Sequence, residues 1–193
     1  MNLQFGSQKN MNISYFVQTA VIKGIQATYN NEVWGINWDV DISILLDVTK
    51  RNGETYPYTL DIRANYSKDS QGNLVGWGSA FKVARLFEKL GIAGKLTDDG
   101  KIPEVCLQSV IEKEITVLFY RTGIREDGNV KFQCWDVVDT DKQSILAEFE
   151  SAQLKGYPRN FVPSPAIKEN ADVQSIGSVA SSNNDDLIDD FVF

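Results

Sequence analysis

Residues Trp34–Val48 read WGINWDVDISILLDV, and their alternation defines the fold class. Apolar side chains take every second position, at Trp34, Ile36, Trp38, Val40, Ile42, Ile44 and Leu46. The positions between them are mostly polar or small, namely Gly35, Asn37, Asp39, Asp41, Ser43 and Asp47. A period of two predicts a β-strand with one buried face. Because this strand is long, we expect it to be strongly bent or shared between two sheets.

Further strands are predicted on both sides of this stretch. Asn30-Asn31 is a turn signal before it, and Asn52-Gly53 after it is the strongest short hairpin signal in the chain. Residues 125–129 predict a second hairpin loop. The predicted strands cover residues 14–28, 34–46, 56–63, 114–122 and 130–138.

Two helices complete the predicted body. Ser79 is a plausible N-cap for a helix with apolar residues at helical spacing from Phe81 to Leu90, and Gly91 supplies its stop. A C-terminal helix is predicted at about residues 141–155. The glycines of residues 72–78 favour a tight β-to-α turn over a phosphate-binding loop, because no Lys-Ser/Thr follows them. Residues 103–109 fit either a short helix or part of a strand.

The resulting order, β-β-β-α-β-β, predicts a mainly β protein with an OB-fold, a five-stranded Greek-key barrel. In that fold, the face of strands 2 and 3 and the loops 1–2 and 4–5 bind oligonucleotides or oligosaccharides. We expect one domain at residues 1–157, including the C-terminal helix. A Pro/Ser/Asn-rich linker at 158–184 and an acidic, aromatic tip at 185–193 follow.

The acidic charge is unevenly distributed. The chain carries 19 Lys and Arg against 26 Asp and Glu, a net charge of −7. Residues 166–193 hold six acidic residues and one lysine, so −5 belongs to the tail and −2 to residues 1–165. The nearly neutral body is therefore compatible with a nucleic-acid partner, with modest affinity and steep salt dependence.

The composition argues against an enzyme. The chain has no histidine, which excludes Ser-His-Asp and Cys-His catalysis and every His-containing metal site. No Walker, HExxH or GxSxG motif occurs, and we expect no cofactor and no metal. Asp39, Asp41 and Asp61 fit a solvated strand face better than the metal site of a hydrolase.

We expect a cytoplasmic location, which is the host cytoplasm if the chain is phage-encoded. Cys106 and Cys134 are too far apart for a CxxC motif, and both are predicted to be reduced, buried thiols. No apolar run approaches the roughly 20 residues of a membrane helix. The sequence does not predict the oligomeric state.

Aromatic rings and cations carry the candidate binding site, because single strands are held by base stacking and by cations along the backbone. Trp38, Phe119 and Phe132 share phase with aliphatic residues and are predicted to lie in the core. Trp135 shares phase with Lys131 and Gln133, which predicts an exposed ring. The candidate groove comprises Arg63, Tyr66, Trp77, Lys82, Arg85, Tyr120, Arg121, Arg125, Lys131 and Trp135.

The C-terminal tip is the most specific signal. It combines four carboxylates with apolar and aromatic residues, Asp185, Asp186, Leu187, Ile188, Asp189, Asp190, Phe191 and Phe193. With the strand order, this tip resembles the single-stranded DNA-binding proteins of bacteria and their phages. The bacterial tip usually ends in proline and phenylalanine, whereas Val192 stands at the penultimate position here.

That resemblance implies sequence-independent binding of single-stranded DNA during replication, recombination and repair. It also implies that Asp185, Asp186, Asp189, Asp190, Phe191 and Phe193 dock on partner proteins, and that the tail competes with DNA for the basic groove. The alternative is an OB-like structural or interaction module, such as a virion component or a carbohydrate- or protein-binding module, without nucleic-acid binding.

Overall fold

The computed structural model describes residues 13–50, 52–92 and 96–164, and these form a mainly β body with short helices. The strands are β1 (Tyr15–Val33), β2 (Ile36–Thr49), β3 (Thr55–Ala64), β4 (Ser67–Lys68), β5 (Leu74–Gly76), β6 (Glu114–Ile124) and β7 (Val130–Cys134). The helices are α1 (Phe81–Lys89), preceded by a 3₁₀ turn at Gly78–Ala80, α2 (Glu104–Ser109) and α3 (Lys142–Leu154).

Five antiparallel strands form one curled sheet in the order β3-β2-β1-β6-β7. β1 is the central strand, because it pairs with β2 along most of its length and with β6 over Tyr15–Val21. The sheet curls into a half-barrel with β3 and β7 as its outer strands. The Tyr58 hydroxyl of β3 accepts a hydrogen bond from the Cys134 backbone N–H of β7 at 3.2 Å. We call the junction of these two outer strands the seam.

The main core lies inside the curled sheet. Val40, Ile42, Ile44 and Leu46 of β2 are fully buried, which confirms the face predicted from their alternation. Leu86 and Phe87 of α1 are also buried in this core, at 1% exposure each. Each such side chain contributes roughly 1.5–3 kcal/mol by leaving water, which makes the register of β2 costly to shift.

A second apolar cluster lies between α3 and the strands β6 and β7. Ile145 and Phe149 of α3 pack on Leu118, Tyr120 and Trp135. Asp141 begins the helix, because its carboxylate accepts the Ser144 backbone N–H at 2.7 Å. The predicted C-terminal helix is thus confirmed, and it covers the outward face of the sheet at this point.

Several local predictions are confirmed. Gly53, at φ +86, closes the hairpin between β2 and β3, and Gly91, at φ +70, follows the end of α1. The loop at residues 125–129 joins β6 to β7. Cys106 and Cys134 are buried, and neither forms a disulfide. Residues 104–109, left open between helix and strand, form α2.

The predicted turn at Asn30-Asn31 is wrong. Asn30 takes a positive φ of 51° but stays within β1, and the chain reverses at Trp34-Gly35, where φ is 52° and 75°. Trp34 is therefore 88% exposed at the hairpin tip instead of lying on the buried face. Trp38, expected in the core, lies opposite Asn31 on the outer part of this hairpin and stays partly exposed.

The start of α1 also differs from the prediction. Ser79 does not cap the helix, because its hydroxyl donates to the Asn65 carbonyl at 3.0 Å and accepts the Asn65 N–H at 2.8 Å. Phe81, expected to face the core, is 46% exposed. The tight turn into the helix is confirmed at Gly78, where φ is +53° and a Cβ would lie 2.5 Å from the Asn65 carbonyl oxygen.

The packed body continues past residue 157, the expected domain boundary. The Val162 N–H donates to the Arg121 carbonyl at 2.9 Å, and the Ser164 N–H donates to the Ser14 hydroxyl at 3.0 Å. Residues 158–164 of the predicted linker therefore lie against β6 and the start of β1. The rest of that linker and the tip at 185–193 lie outside the described residues.

Candidate nucleic-acid interface

An open groove of about 930 Å³ runs along the seam. Leu60 and Asp61 of β3 line it together with Gln133–Trp135 at the end of β7. Both long helices contribute to its walls, and the turn after α3 closes one end. The charged and aromatic residues that line the groove are Asp61, Phe81, Lys82, Arg85, Tyr120, Trp135, Asp136, Glu148, Lys155, Tyr157 and Arg159.

Two of the groove's cations come from α1 and are paired with carboxylates. Lys82 forms an ion pair with Asp136, and its Nζ lies 5.6 Å from the centroid of the Trp135 ring. Arg85 donates through both terminal nitrogens to the two carboxylate oxygens of Glu148. This hydrogen bonding raises the pKa of Arg85 above its ordinary value. Both cations are therefore held in the groove wall by neighbouring acids.

Two other cations, Lys155 and Arg159, follow α3. Within residues 13–50, 52–92 and 96–164, neither Lys155 nor Arg159 forms an ion pair. The Arg159 guanidinium lies 5.7 Å from the centroid of the Tyr157 ring, at a distance typical of a cation–π contact. Tyr157 is 50% exposed. The sequence Lys155-Gly-Tyr157-Pro-Arg159 thus presents cation, ring and cation along one rim of the groove.

The rings deeper in the groove are buried. Trp135 is 8% exposed and Tyr120 is 4% exposed, because Phe149 of α3 packs on them at centroid distances of 5.4 and 5.7 Å. The prediction that Trp135 is an exposed ring is therefore wrong. The Tyr120 hydroxyl donates to Asn160 Oδ1 at 3.1 Å, and burial is the main cause that raises the pKa of Tyr120.

Four of the ten candidate residues line this groove, namely Lys82, Arg85, Tyr120 and Trp135. The structure does not bring the other six to it. Arg121 is buried, at 3% exposure, and its carbonyl accepts the Val162 N–H. Arg125 and Lys131 are exposed on the β6–β7 hairpin, away from the groove lining.

Arg63, Tyr66 and Trp77 lie on other surfaces. The Arg63 Nε donates to Asp41 at 3.2 Å, and its guanidinium lies 5.3 Å from the Trp34 ring centroid. Tyr66 is 8% exposed with its ring 6.4 Å from that of Trp77, and burial raises its pKa. Trp77 is itself partly buried against the core. Arg63 therefore acts as a partner of strand carboxylates in this structure.

The outward face of β2 and β3 is acidic. Asp39, Asp41, Asp47 and Asp61 lie on it, with Arg63 as the cation of β3 among them. Asp41 accepts from Arg63 and from Asn31, whereas Asp39 pairs with Lys68 and accepts the Tyr66 N–H at 3.0 Å. These carboxylates form the charged strand face expected from the sequence. In the described part of the chain, no group of three or more acidic or cysteine side chains is placed to hold a metal ion.

The thiol and phenol at the seam are uncharged at neutral pH. Burial raises the pKa of the Cys134 thiol well above its ordinary range. Burial also raises the pKa of Tyr58 to about 12, so the hydroxyl that accepts from Cys134 keeps its proton. These two groups therefore add no charge to the seam.

Sequence reasoning missed Phe81, Lys155, Tyr157 and Arg159. Phe81 shares helical phase with core residues, Lys155 and Tyr157 lie at the end of the predicted C-terminal helix and domain, and Arg159 lies in the predicted linker. The alternation of cation and ring at residues 155, 157 and 159 was the signal available.

The chain matches no protein-family model and shows no significant match to a curated protein. Among the described helices, none is both long and apolar enough to cross a membrane.

Proposed function

We propose that this chain binds single-stranded DNA without sequence preference, through the seam groove. The observation that carries the proposal is the rim formed by Lys155, Tyr157 and Arg159, where two cations that form no ion pair with the described residues flank a half-exposed ring. Proteins that hold single strands combine cations along the phosphates with rings on which bases stack. Phe81, 46% exposed in the groove lining, supplies a second accessible ring.

The strand order supports an OB-like fold for this role. The sheet order β3-β2-β1-β6-β7 is that of a five-stranded Greek-key barrel opened between its third and fifth long strands. As in that fold, helical structure connects the third strand to the next long strand. OB-folds bind oligonucleotides on the face of strands 2 and 3. Here that face carries Asp39, Asp41 and Asp47 outside the groove, and these carboxylates repel phosphates, so the proposal assigns the DNA to the seam.

The proposed role is to protect single strands during replication, recombination or repair. Recruitment of partner proteins is assigned to Asp185, Asp186, Asp189, Asp190, Phe191 and Phe193, which lie outside the described residues. The proposal involves neither catalysis nor a cofactor.

The test is the binding of a fluorescein-labelled dT oligonucleotide of about 16 nucleotides, measured by anisotropy at several salt concentrations. We expect Lys155→Ala and Arg159→Ala each to reduce the slope of log K against log salt by about 0.7, since each removes one phosphate contact. Tyr157→Ala should weaken binding by about 1–3 kcal/mol through lost stacking.

The matched control is Lys142→Ala. Lys142 is exposed at the other end of α3, about 20 Å from Lys155 along the helix, so its removal changes the net charge equally without touching the groove. If Lys142→Ala weakens binding as much as Lys155→Ala, the groove is not the binding site. If the wild-type chain does not bind at low salt, the proposed function is wrong.

A protein-interaction module is the second candidate, and the β1–β2 hairpin tip favours it. Trp34 is 88% exposed and Ile36 is 51% exposed, beside the acidic face of β2 and β3. Exposed tryptophans often dominate protein interfaces. A chain that fails to bind the oligonucleotide at low salt, yet binds a protein through Trp34, would fit this candidate.

A further inference from the structure

One face of α1 carries three cations, and each is paired with a carboxylate from a later segment. Lys82 pairs with Asp136, Arg85 with Glu148, and Lys89 with Asp139. Positions 82, 85 and 89 are three and four residues apart, so they share one side of the helix. These pairs connect α1 to α3 and to the segment before it.

The Lys89–Asp139 pair is built into the fold. The Asp139 side chain is 5% exposed, and its Oδ1 also accepts the backbone N–H groups of Thr140 at 2.7 Å and Asp141 at 3.2 Å. Neither Lys89 nor Asp139 lines the seam groove. Loss of this carboxylate would leave the Lys89 ammonium and the backbone N–H groups of Thr140 and Asp141 without this acceptor.

The ion pairs of Lys82 and Arg85 differ from the Lys89–Asp139 pair in two respects. All four side chains line the groove, and the carboxylates of Asp136 and Glu148 are 35% and 23% exposed. In the described chain, the hydrogen bonds of each carboxylate go to its cation alone. Partly exposed pairs of this kind contribute little to folding and are screened by salt.

We propose that Asp136 and Glu148 are built-in competitors for the groove's cations, and that a DNA strand binds by exchanging its phosphates for these carboxylates. The inference rests on the proposed function and concerns how the same groove is regulated. Arg85 already donates from two nitrogens to the two carboxylate oxygens of Glu148. Two oxygens of a phosphate group can accept the same pair of hydrogen bonds.

The exchange determines which anions enter the groove. A single phosphate gains one contact and must displace a carboxylate held at high local concentration, whereas a strand already anchored on Lys155 and Arg159 presents successive phosphates. Binding should therefore favour chains of phosphates over single ones. In the free protein, Asp136 and Glu148 offset the charge of Lys82 and Arg85, whereas Lys155 and Arg159 form no ion pair with the described residues.

The test compares Glu148→Gln, Asp136→Asn and the double variant with Glu150→Gln. The amides keep the shape and one acceptor of each carboxylate but remove its charge. Glu150 is exposed on α3, accepts from the Tyr15 hydroxyl at 3.0 Å and does not line the groove, so its variant controls for net charge. Circular dichroism and thermal unfolding of each variant verify that it is folded.

The probe is the fluorescein-labelled dT oligonucleotide, titrated in increasing NaCl. Glu148→Gln and Asp136→Asn should each tighten binding about 2- to 5-fold beyond Glu150→Gln, the range expected for removing a partly exposed ion pair. In the double variant, the tightening should be about the product of the two single effects, whereas the slope of log K against log salt should stay close to that of the wild-type chain, because Lys82 and Arg85 contact phosphates in both complexes.

Affinities equal to that of Glu150→Gln, with a wild-type chain that binds, would overturn the exchange and leave the proposed function standing. Absence of binding by both the wild-type chain and the double variant would overturn the proposed function and the exchange with it.

Discussion

Phe149 organises the aromatic cluster under α3. Its ring is fully buried and lies 5.2 Å from Tyr15, 5.7 Å from Tyr120, 5.4 Å from Trp135 and 5.8 Å from Phe161, measured between ring centroids. These four partners come from the start of β1, from β6, from the end of β7 and from the segment after α3. One side chain therefore holds together parts of the chain that are far apart in sequence.

Phe149→Ala should lower the free energy of unfolding by about 3–5 kcal/mol, since it leaves a large cavity among four rings. Urea unfolding followed by circular dichroism measures this change. Leu154→Ala is the control, because Leu154 lies on the same helix but is 92% exposed, and should change stability by no more than about 0.5 kcal/mol. Similar losses in the two variants would contradict the assigned packing of α3.

Trp34 and Trp135 show where residue-level patterns were misleading. The alternation of β2 extends back to Trp34, yet alternation does not reveal where a hairpin reverses, and Trp34 became the exposed tip. Trp135 lies on the outward face of its strand as its phase predicts, but α3 covers that face. Both errors concern contacts between segments, which a local period does not contain.

At the level of elements, α3 was predicted well from the sequence. The helix spans Lys142–Leu154, and Asp141, the first residue of the predicted helix, is its N-cap. The Asn52-Gly53 hairpin and the end of α1 at Gly91 were also predicted from the sequence. The conformation of a turn or a helix cap is determined by the few residues that form it.

The cap makes the stability of α3 depend on pH. The Ser144 backbone N–H holds the pKa of Asp141 below its usual value. A group whose pKa is lower in the folded chain stabilises the fold above its unfolded pKa, and that contribution is lost as the pH falls through the folded value. Asp141→Ala should therefore be less stable than the wild-type chain at pH 7, and the difference should shrink below the ordinary pKa of aspartate.

Urea midpoints of the wild-type chain and Asp141→Ala between pH 7 and pH 2.5 measure this difference. The difference between the two proteins is needed because Asp69, Asp99 and Asp127 also have lowered pKa values. The wild-type chain and the variant share these three groups, so their contributions to the pH dependence cancel. At low pH, Asp141→Asn should be more stable than Asp141→Ala, because its amide oxygen accepts the same N–H and does not titrate. A difference that stays constant with pH would contradict the cap.

At the scale of the whole molecule, the seam groove is assembled from β3, β7, two helices and the turn after α3. The sequence predicted the order of the long strands and four of the groove's residues. It did not predict that Lys155, Tyr157 and Arg159 join them, since these residues lie where the predicted helix ends and the predicted linker begins. How the sheet curls and what α3 covers depend on long-range packing, which no local pattern specifies.

Charge is also separated at this scale. The outward face of β2 carries Asp39, Asp41 and Asp47 away from the groove, whereas the groove rim carries Lys155 and Arg159. Asp61 of β3 lies where this face meets the groove. Phosphates are repelled by the first surface and attracted by the second. The two surfaces therefore predict where DNA does and does not contact the protein, and mutations and cross-links can distinguish the two places.

The most direct measurement of the central claim is ultraviolet cross-linking of the full chain to a dT oligonucleotide of about 16 nucleotides, with the linked residues identified by mass spectrometry. We predict cross-links at Tyr157 and Phe81 on the groove, lost at high salt, and none on the outward face of β2 and β3. Cross-links concentrated on that face or at Trp34, with none in the groove, would contradict the account.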